Sequence, residues 1–263
     1  MEPDVIHNIY PDTHELFSVR RNSQMKLKFN PKYMFEYDDP REMPAYGIKE
    51  AAHYLQIPAA TLKSWVSERE YPTKIGPKVF APLIMLPKND TPLLSFFNLA
   101  EVHVLSAFRR DFNIEMKKIR NALIYVKRQF DWSHPLIEQK FETDGVALFI
   151  ERLSKVIDVS ADGQIVMDTV RAHFGRLDRV DNIVARLYPF TRSEIENSPK
   201  SVMIDPRFSY GRPCLVKSHI STAVIAERYK AGDSIDELAS DYGCIRLEIE
   251  EGLRCEFSIS TAA

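Results

Sequence analysis

Residues 47–66, "GIKEAAHYLQIPAATLKSWV", decide the fold of the N-terminal half. Ile48, Ala51, Ala52 and Leu55 recur at i, i+3, i+4 and i+7, so they line one face of a helix. Gln56-Ile57-Pro58 then reads as a tight turn, with Ile57 as an apolar plug and Pro58 suited to the first turn of a second helix. Leu62, Trp65 and Val66, at i, i+3 and i+4, would lock that second helix onto the first. Thr61, Lys63, Ser64 and Ser67 are left facing outward. Short polar and basic side chains on an exposed second helix suit phosphate and base-edge contacts, which is the geometry of a helix-turn-helix. A plain helical hairpin with an incidental polar face would show the same spacing.

The chain downstream separates these readings. Arg69, Lys74 and Lys78 follow in a stretch punctuated by proline and glycine, leading to a predicted strand over Lys78–Leu86, as the wing of a winged helix would. Two helices are predicted next, over Asn98–Arg110 and Ile114–Phe130. The whole chain of 263 residues has a net charge of −2, so it has no general attraction for polyanions. Between Ala45 and Phe130, however, thirteen basic side chains face seven acidic ones. Positive charge is therefore concentrated in one region. The cluster Lys117, Lys118, Arg120, Lys127 and Arg128 reads equally well as a solvated helix face.

The runs "YGIKEAAHYLQIPAATLKSWVSE", "KIGPKVFAPL" and "FFNLAEVHVLSAFRRDFNIEMKKIRNAL" together resemble the MerR-type winged helix. The resemblance implies that Lys63, directly after Leu62, occupies the basic position of the recognition helix, and that Lys74 and Lys78 match basic residues of the wing. The long dimerisation helix with effector cysteines does not follow, so a metal- or drug-sensing regulator of that family is not expected.

Residues 1–44 mix five prolines with polar residues and no sustained period, and read as an extended arm with a candidate strand at Gln24–Phe29. Residues 45–130 form the winged helix-turn-helix domain. Residues 131–198 are irregular. Short strands are predicted at Phe141–Glu142, Ala147–Ile150, Val156–Val159 and Gln164–Met167, with residues 160–163 as a hairpin turn. A helix at Asp168–Arg176 and a strand at Val184–Tyr188 follow. Residues 199–263 form a compact unit: strand Val202–Ile204, the turn "DPRFSYGRP", strand Cys214–Val216 and three helices. Within it Ser234 and Glu237 have the spacing of a capping box. The last helix, Arg246–Arg254, is placed like a recognition helix but is predicted to expose Glu248, Glu250 and Glu251, and carboxylates in series repel phosphates. From residue 201 onward seven basic side chains face ten acidic ones, which suits a protein partner, or a second copy of the chain, better than DNA. The fold class is mainly α with small β elements (α+β).

The stretch "VMIDPRFSYGRPCLVKSHISTAVIAERYKAGDSIDELASDYGCIRLEIEEGLR" resembles domain of unknown function 433 through Asp205-Pro206, Gly211-Arg212-Pro213, Gly232 and Ser234–Leu238. Its usual Gly-Thr-Arg-Ile-Pro segment is replaced here by Lys217–Ser221. With "TLKSWVSEREYPT", "NLAEVHVLSAFRR", "ARLYPFT" and "STAVIAERY" in order, the chain resembles the long form of VapB-type antitoxins, which are encoded beside PIN-domain ribonuclease toxins. The resemblance implies a DNA-binding antitoxin that neutralises such a toxin and represses its own operon, with operator DNA and toxin as partners. A homodimer is expected because helix-turn-helix operators are commonly paired half-sites. The DNA-contacting residues would be Thr61, Lys63, Ser64, Arg69, Lys74 and Lys78. Arg246 and Arg254 are candidates for insertion into the toxin's acidic centre, and i,i+4 pairing with Glu250 is their alternative role. A dimeric transcription factor without a toxin remains the second reading.

Catalysis is not expected. The seven histidines are scattered singly, and no HExxH, Walker, GxSxG or GxGxxG spacing occurs. His103 reads as a packed core histidine. Cys214, Cys244 and Cys255 offer neither a disulfide framework nor a CxxC metal site, so no metal or cofactor is expected and a reducing cytoplasm is the expected compartment. No apolar run approaches a membrane span and no signal-peptide pattern opens the chain.

Overall fold

Helix α1 (Ile48–Tyr54) buries Ala51 and Ala52 against α2 (Ala59–Val66), which buries Leu62, Trp65 and Val66. These are the residues that the 3.6 period selects. The computed structural model describes residues 39–71, 76, 78–87, 91–110, 116–130, 133–138 and 163–257. The predicted strands at Gln24–Phe29 and between 141 and 159 lie outside them.

Strand β1 (Tyr46–Gly47) leads into α1 and pairs antiparallel with β4 (Leu93–Leu94). Between them lies a hairpin of β2 (Arg69–Tyr71) and β3 (Lys78–Phe80), in register Arg69 to Phe80 and Tyr71 to Lys78. The predicted strand Lys78–Leu86 therefore ends at Phe80. Pro82 follows, and the chain turns back over α2, where the Leu83 and Ile84 amides donate to the Trp65 carbonyl at 2.7 and 3.2 Å. This is a helix-turn-helix with a wing, as expected.

Helix α3 (Phe96–Arg110) starts earlier than its apolar period suggests, because Ser95 and Asn98 exchange backbone-to-side-chain hydrogen bonds (3.2 and 3.1 Å) ahead of it. Helix α4 (Met116–Phe130) follows. Gln164–Met167, read above as a strand, is part of helix α5 (Gly163–Phe174), which packs on α3. Val170, His173 and Phe174 are its buried face. The β-branched pair Ile165-Val166 mimics a strand, but the apolar period continues at helical spacing and packing decides. Among the described residues of this region a hairpin lies later, in β5 (Leu177–Val180) and β6 (Ile183–Leu187). Asp181 and Asn182 form its turn at φ 51° and 66°, the left-handed pair that a two-residue hairpin requires.

One core joins these elements. It runs from Tyr46 and Ala51 through α2, α3, Ile119 and Leu123 of α4, and Leu187, to Ile204. His103 is buried, with its Nε2 3.1 Å from the His173 carbonyl oxygen. A second core belongs to the C-terminal unit. Strands β7 (Val202–Met203) and β8 (Cys214–Leu215) pair antiparallel, and α6 (Thr222–Ala231), α7 (Ile235–Tyr242) and α8 (Arg246–Phe257) pack on them around Leu215, Ile225, Leu238 and Ile249. A Cβ on Gly252 would stand 3.3 Å from Leu215 and 3.4 Å from Ile225, so glycine lets α8 lie close to both. The Ser234–Glu237 capping box forms, with Glu237 N donating to Ser234 Oγ at 3.2 Å and Ser234 N to Glu237 Oε2 at 2.8 Å. The three cysteines are free thiols. The whole is α+β: mainly helical, with small antiparallel strand pairs.

Candidate nucleic-acid interface

The turn of the helix-turn-helix is held from both sides. Gln56 takes φ 52°, Ile57 is 6% exposed, and its amide donates to Ala52 O at 3.0 Å. Gln56 Nε2 donates to the Phe190 carbonyl at 2.8 Å, fastening the turn to the linker after β6. Pro58 stands at the N-cap of α2 rather than inside it, and its carbonyl accepts from Leu62 N at 3.1 Å. Its fixed φ suits that position, where a missing N–H costs nothing.

On α2, Lys63 is exposed and Thr61 and Ser64 are half-buried. Ser64 Oγ donates back to Thr61 O at 2.7 Å, so that hydroxyl hydrogen is already engaged and its oxygen is left to accept. Arg69 and Lys78 are placed by their backbones on the two wing strands, Arg69 at the start of β2 and Lys78 at the start of β3. Lys74 lies outside the described residues.

Sequence reasoning did not find the seam between this motif and the C-terminal unit. Tyr46 is buried and its hydroxyl donates to the Gly211 carbonyl at 2.8 Å. Arg212 forms an ion pair with Glu50 of α1, and its guanidinium lies 5.6 Å from the Tyr46 ring centroid. Glu50 also accepts from Gly47 N at 3.3 Å and from Tyr54 Oη at 3.0 Å. Burial pushes the Tyr46 and Tyr54 hydroxyls far above their usual range, so both act only as neutral donors. A Cβ on Gly211 (φ 73°) would stand 2.6 Å from Tyr46 Oη. The Gly211-Arg212 pair of "GRP" thus docks on β1 and the first helix of the motif; the "DPRFSYGRP" turn that carries it was the available signal.

Arg246 and Arg254 lie on α8 in a chain of alternating charge. Arg246 pairs with Asp236 (2.7 Å) and Glu250 (3.0 Å), and Arg254 pairs with Glu250 (3.6 Å) and Glu251 (2.6 Å). Glu251 is wholly buried and also receives Arg192 and Thr191. Glu248 is nearly buried, accepting from Ile245 N at 3.1 Å and pairing with Lys217 at 2.9 Å. The expected display of three carboxylates on this helix is therefore corrected: two of them fasten the unit together, because each has found a donor that meets the cost of burial.

These features define a class: a winged helix-turn-helix joined through a short hairpin region to a tri-helical unit. Residues 44–123 match the family described as "Putative DNA-binding HTH domain", and residues 202–254 match "Protein of unknown function (DUF433)". The chain is 28% identical over 229 residues to "Putative antitoxin VapB45" of Mycobacterium tuberculosis (strain ATCC 25618 / H37Rv), covering 81% of this chain and 93% of that protein. It is 21% identical over 222 residues to "Uncharacterized protein Rv2308" of the same strain, covering 79% and 88%. The crystal structure of Rv2018 from Mycobacterium tuberculosis shares the fold, with a TM-score of 0.59 at 23% identity over 81% of this chain and 98% of that one. Among the described residues no group of three or more His, Cys, Asp or Glu is arranged to hold a metal ion, and no helix is long and apolar enough to cross a membrane.

Proposed function

We propose that the chain is a DNA-binding antitoxin that acts in the cytoplasm as a homodimer, neutralises a PIN-type ribonuclease and represses its own operon. The observation that carries this reading is the order of parts. A DNA-binding helix-turn-helix domain is followed by a DUF433 domain, in a chain that is similar along most of its length to a protein named as an antitoxin. Lys63, Thr61 and Ser64 would face the major groove, with Arg69, Lys74 and Lys78 along the wing beside it. The exposed face of α2 and the β2–β3 hairpin that follows it support that placement. No catalytic role is assigned.

Lys63→Glu tests the groove assignment. The substitution puts a repelling charge on the exposed face of α2, so operator affinity is expected to fall at least tenfold, and affinity of the unaltered chain to fall steeply with salt. Equal mobility-shift titrations for both proteins would remove α2 from the interface.

One observation favours the second reading, a regulator without a toxin: Arg246 and Arg254 are both spent on the chain's own carboxylates. Growth rescue in cells expressing the ribonuclease of the neighbouring reading frame separates the two. Rescue by the intact chain supports the antitoxin, and full rescue by a double arginine charge reversal removes those side chains from the role.

A further inference from the structure

The C-terminal unit is acidic as a whole, yet one part of its surface is not. In the turn between β7 and β8, Arg207 is half-exposed above Asp205, whose carboxylate is completely buried (2.8 Å). Lys217, 71% exposed, stands above Glu248, whose side chain is 11% exposed (2.9 Å). In both pairs the acid lies beneath and the cation faces solvent. In the same turn as Arg207, Tyr210 is 85% exposed, the most exposed of the large hydrophobic side chains described, and Phe208 stacks on His219 at 4.1 Å between ring centroids. The backbone is committed to this display. Ser209, Tyr210 and His219 all take left-handed φ (47°, 54°, 57°), and Ser209 Oγ donates to His219 O at 3.1 Å, joining the two loops. Left-handed non-glycine residues persist only where the surroundings over-determine them.

The position of this surface relative to α1 bears on what it binds. It adjoins Gly211 and Arg212, which grip Tyr46 and Glu50 at the N-terminal end of α1. In a helix-turn-helix the first helix crosses the sugar–phosphate backbone, and Arg, Lys and Tyr are the side chains that take phosphate contacts. We infer that the turn of the DUF433 unit is a second DNA-contacting element, in which Arg207, Lys217 and Tyr210 hold the phosphate backbone beside the helix-turn-helix. This inference rests on the reading of α1 and α2 as a DNA reader.

The test is binding of the full chain to a random-sequence duplex of about 40 base pairs by fluorescence anisotropy, from about 50 to 200 mM KCl. Lys217→Gln is expected to reduce the slope of log affinity against log salt by about 0.9, and Arg207→Gln with Lys217→Gln by nearly twice that. Tyr210→Ala should weaken binding several-fold with little change of slope. Tyr210→Ala alters only an exposed side chain, so it carries the test even if loss of the Arg207–Asp205 or the Lys217–Glu248 pair unsettles the unit. Slopes and affinities unchanged in Lys217→Gln and Tyr210→Ala, with Lys63→Glu still losing binding, would overturn the inference and leave the surface to an acidic protein. Failure of the unaltered chain to bind duplex at any salt would overturn the helix-turn-helix reading itself, and the inference with it.

Discussion

At the scale of single residues, the tension between stability and display is sharpest at Tyr210. A left-handed non-glycine residue costs about 1–2 kcal/mol, and an 85% exposed ring recovers little of it by packing. Tyr210→Gly should therefore leave the chain as stable as before or up to about 1 kcal/mol more stable, the strain relieved being partly offset by the greater freedom of glycine when unfolded. Urea titration followed by circular dichroism reads this directly, and a loss of 1 kcal/mol or more would show that the ring packs after all. Glu251 shows the opposite balance. Helical periodicity puts Glu248, Glu250 and Glu251 on one acidic helix; only the partners Arg192, Thr191 and Arg254 reveal which of them is interior.

At the scale of elements, His134 is the clasp between the short 3-10 turn Pro40–Glu42 and α3. Its Nδ1 is 2.9 Å from Glu101 and its Nε2 3.0 Å from Glu42. Burial disfavours its charge, but hydrogen bonds to the two carboxylates outweigh this and raise its pKa to about 10. A raised folded-state pKa stabilises fully below the unfolded value near 6.5 and is lost as pH climbs through about 10. Thermal stability should thus decline between pH 7 and 10, by about 1–2 kcal/mol after solvent screening, and His134→Gln should flatten that decline. A wild-type profile flat over this window would show the imidazole to be neutral. None of this clasp was legible beforehand, since Glu42, Glu101 and His134 are far apart in sequence and each is unremarkable alone. The helices at 48–66 and 96–130 and the C-terminal unit were legible because their apolar residues repeat at 3.6 and their caps and turns agree. Gln164–Met167 reads as a strand because four residues, of which Ile165 and Val166 are β-branched, are too few to show a period. The hairpin at Asp181-Asn182 was missed because its turn lacks the glycine that usually signals left-handed backbone.

At the scale of the whole molecule, the helix-turn-helix and the C-terminal unit share structure. Ile204 belongs to the N-terminal core, its backbone exchanges hydrogen bonds with Leu187 at 3.0 and 2.8 Å, and Gly211 accepts the buried Tyr46 hydroxyl. A chain cut after Pro199 would leave that hydroxyl and Glu50 without these partners and uncover the edge of β6. It is expected to melt several degrees below the full chain and to bind DNA more weakly. A fragment with the full chain's melting temperature and affinity would show that the two parts are independent. The seam between Tyr46 and Gly211 also orders events during synthesis. Its two sides are separated by 165 residues, which a ribosome takes roughly 10–30 s to make. The nascent helix-turn-helix domain must wait that long for the contact that completes the entrance to α1, so a prematurely terminated product is expected to emerge as a weak DNA binder, and prey for proteases, rather than as a competent domain stripped of its other half.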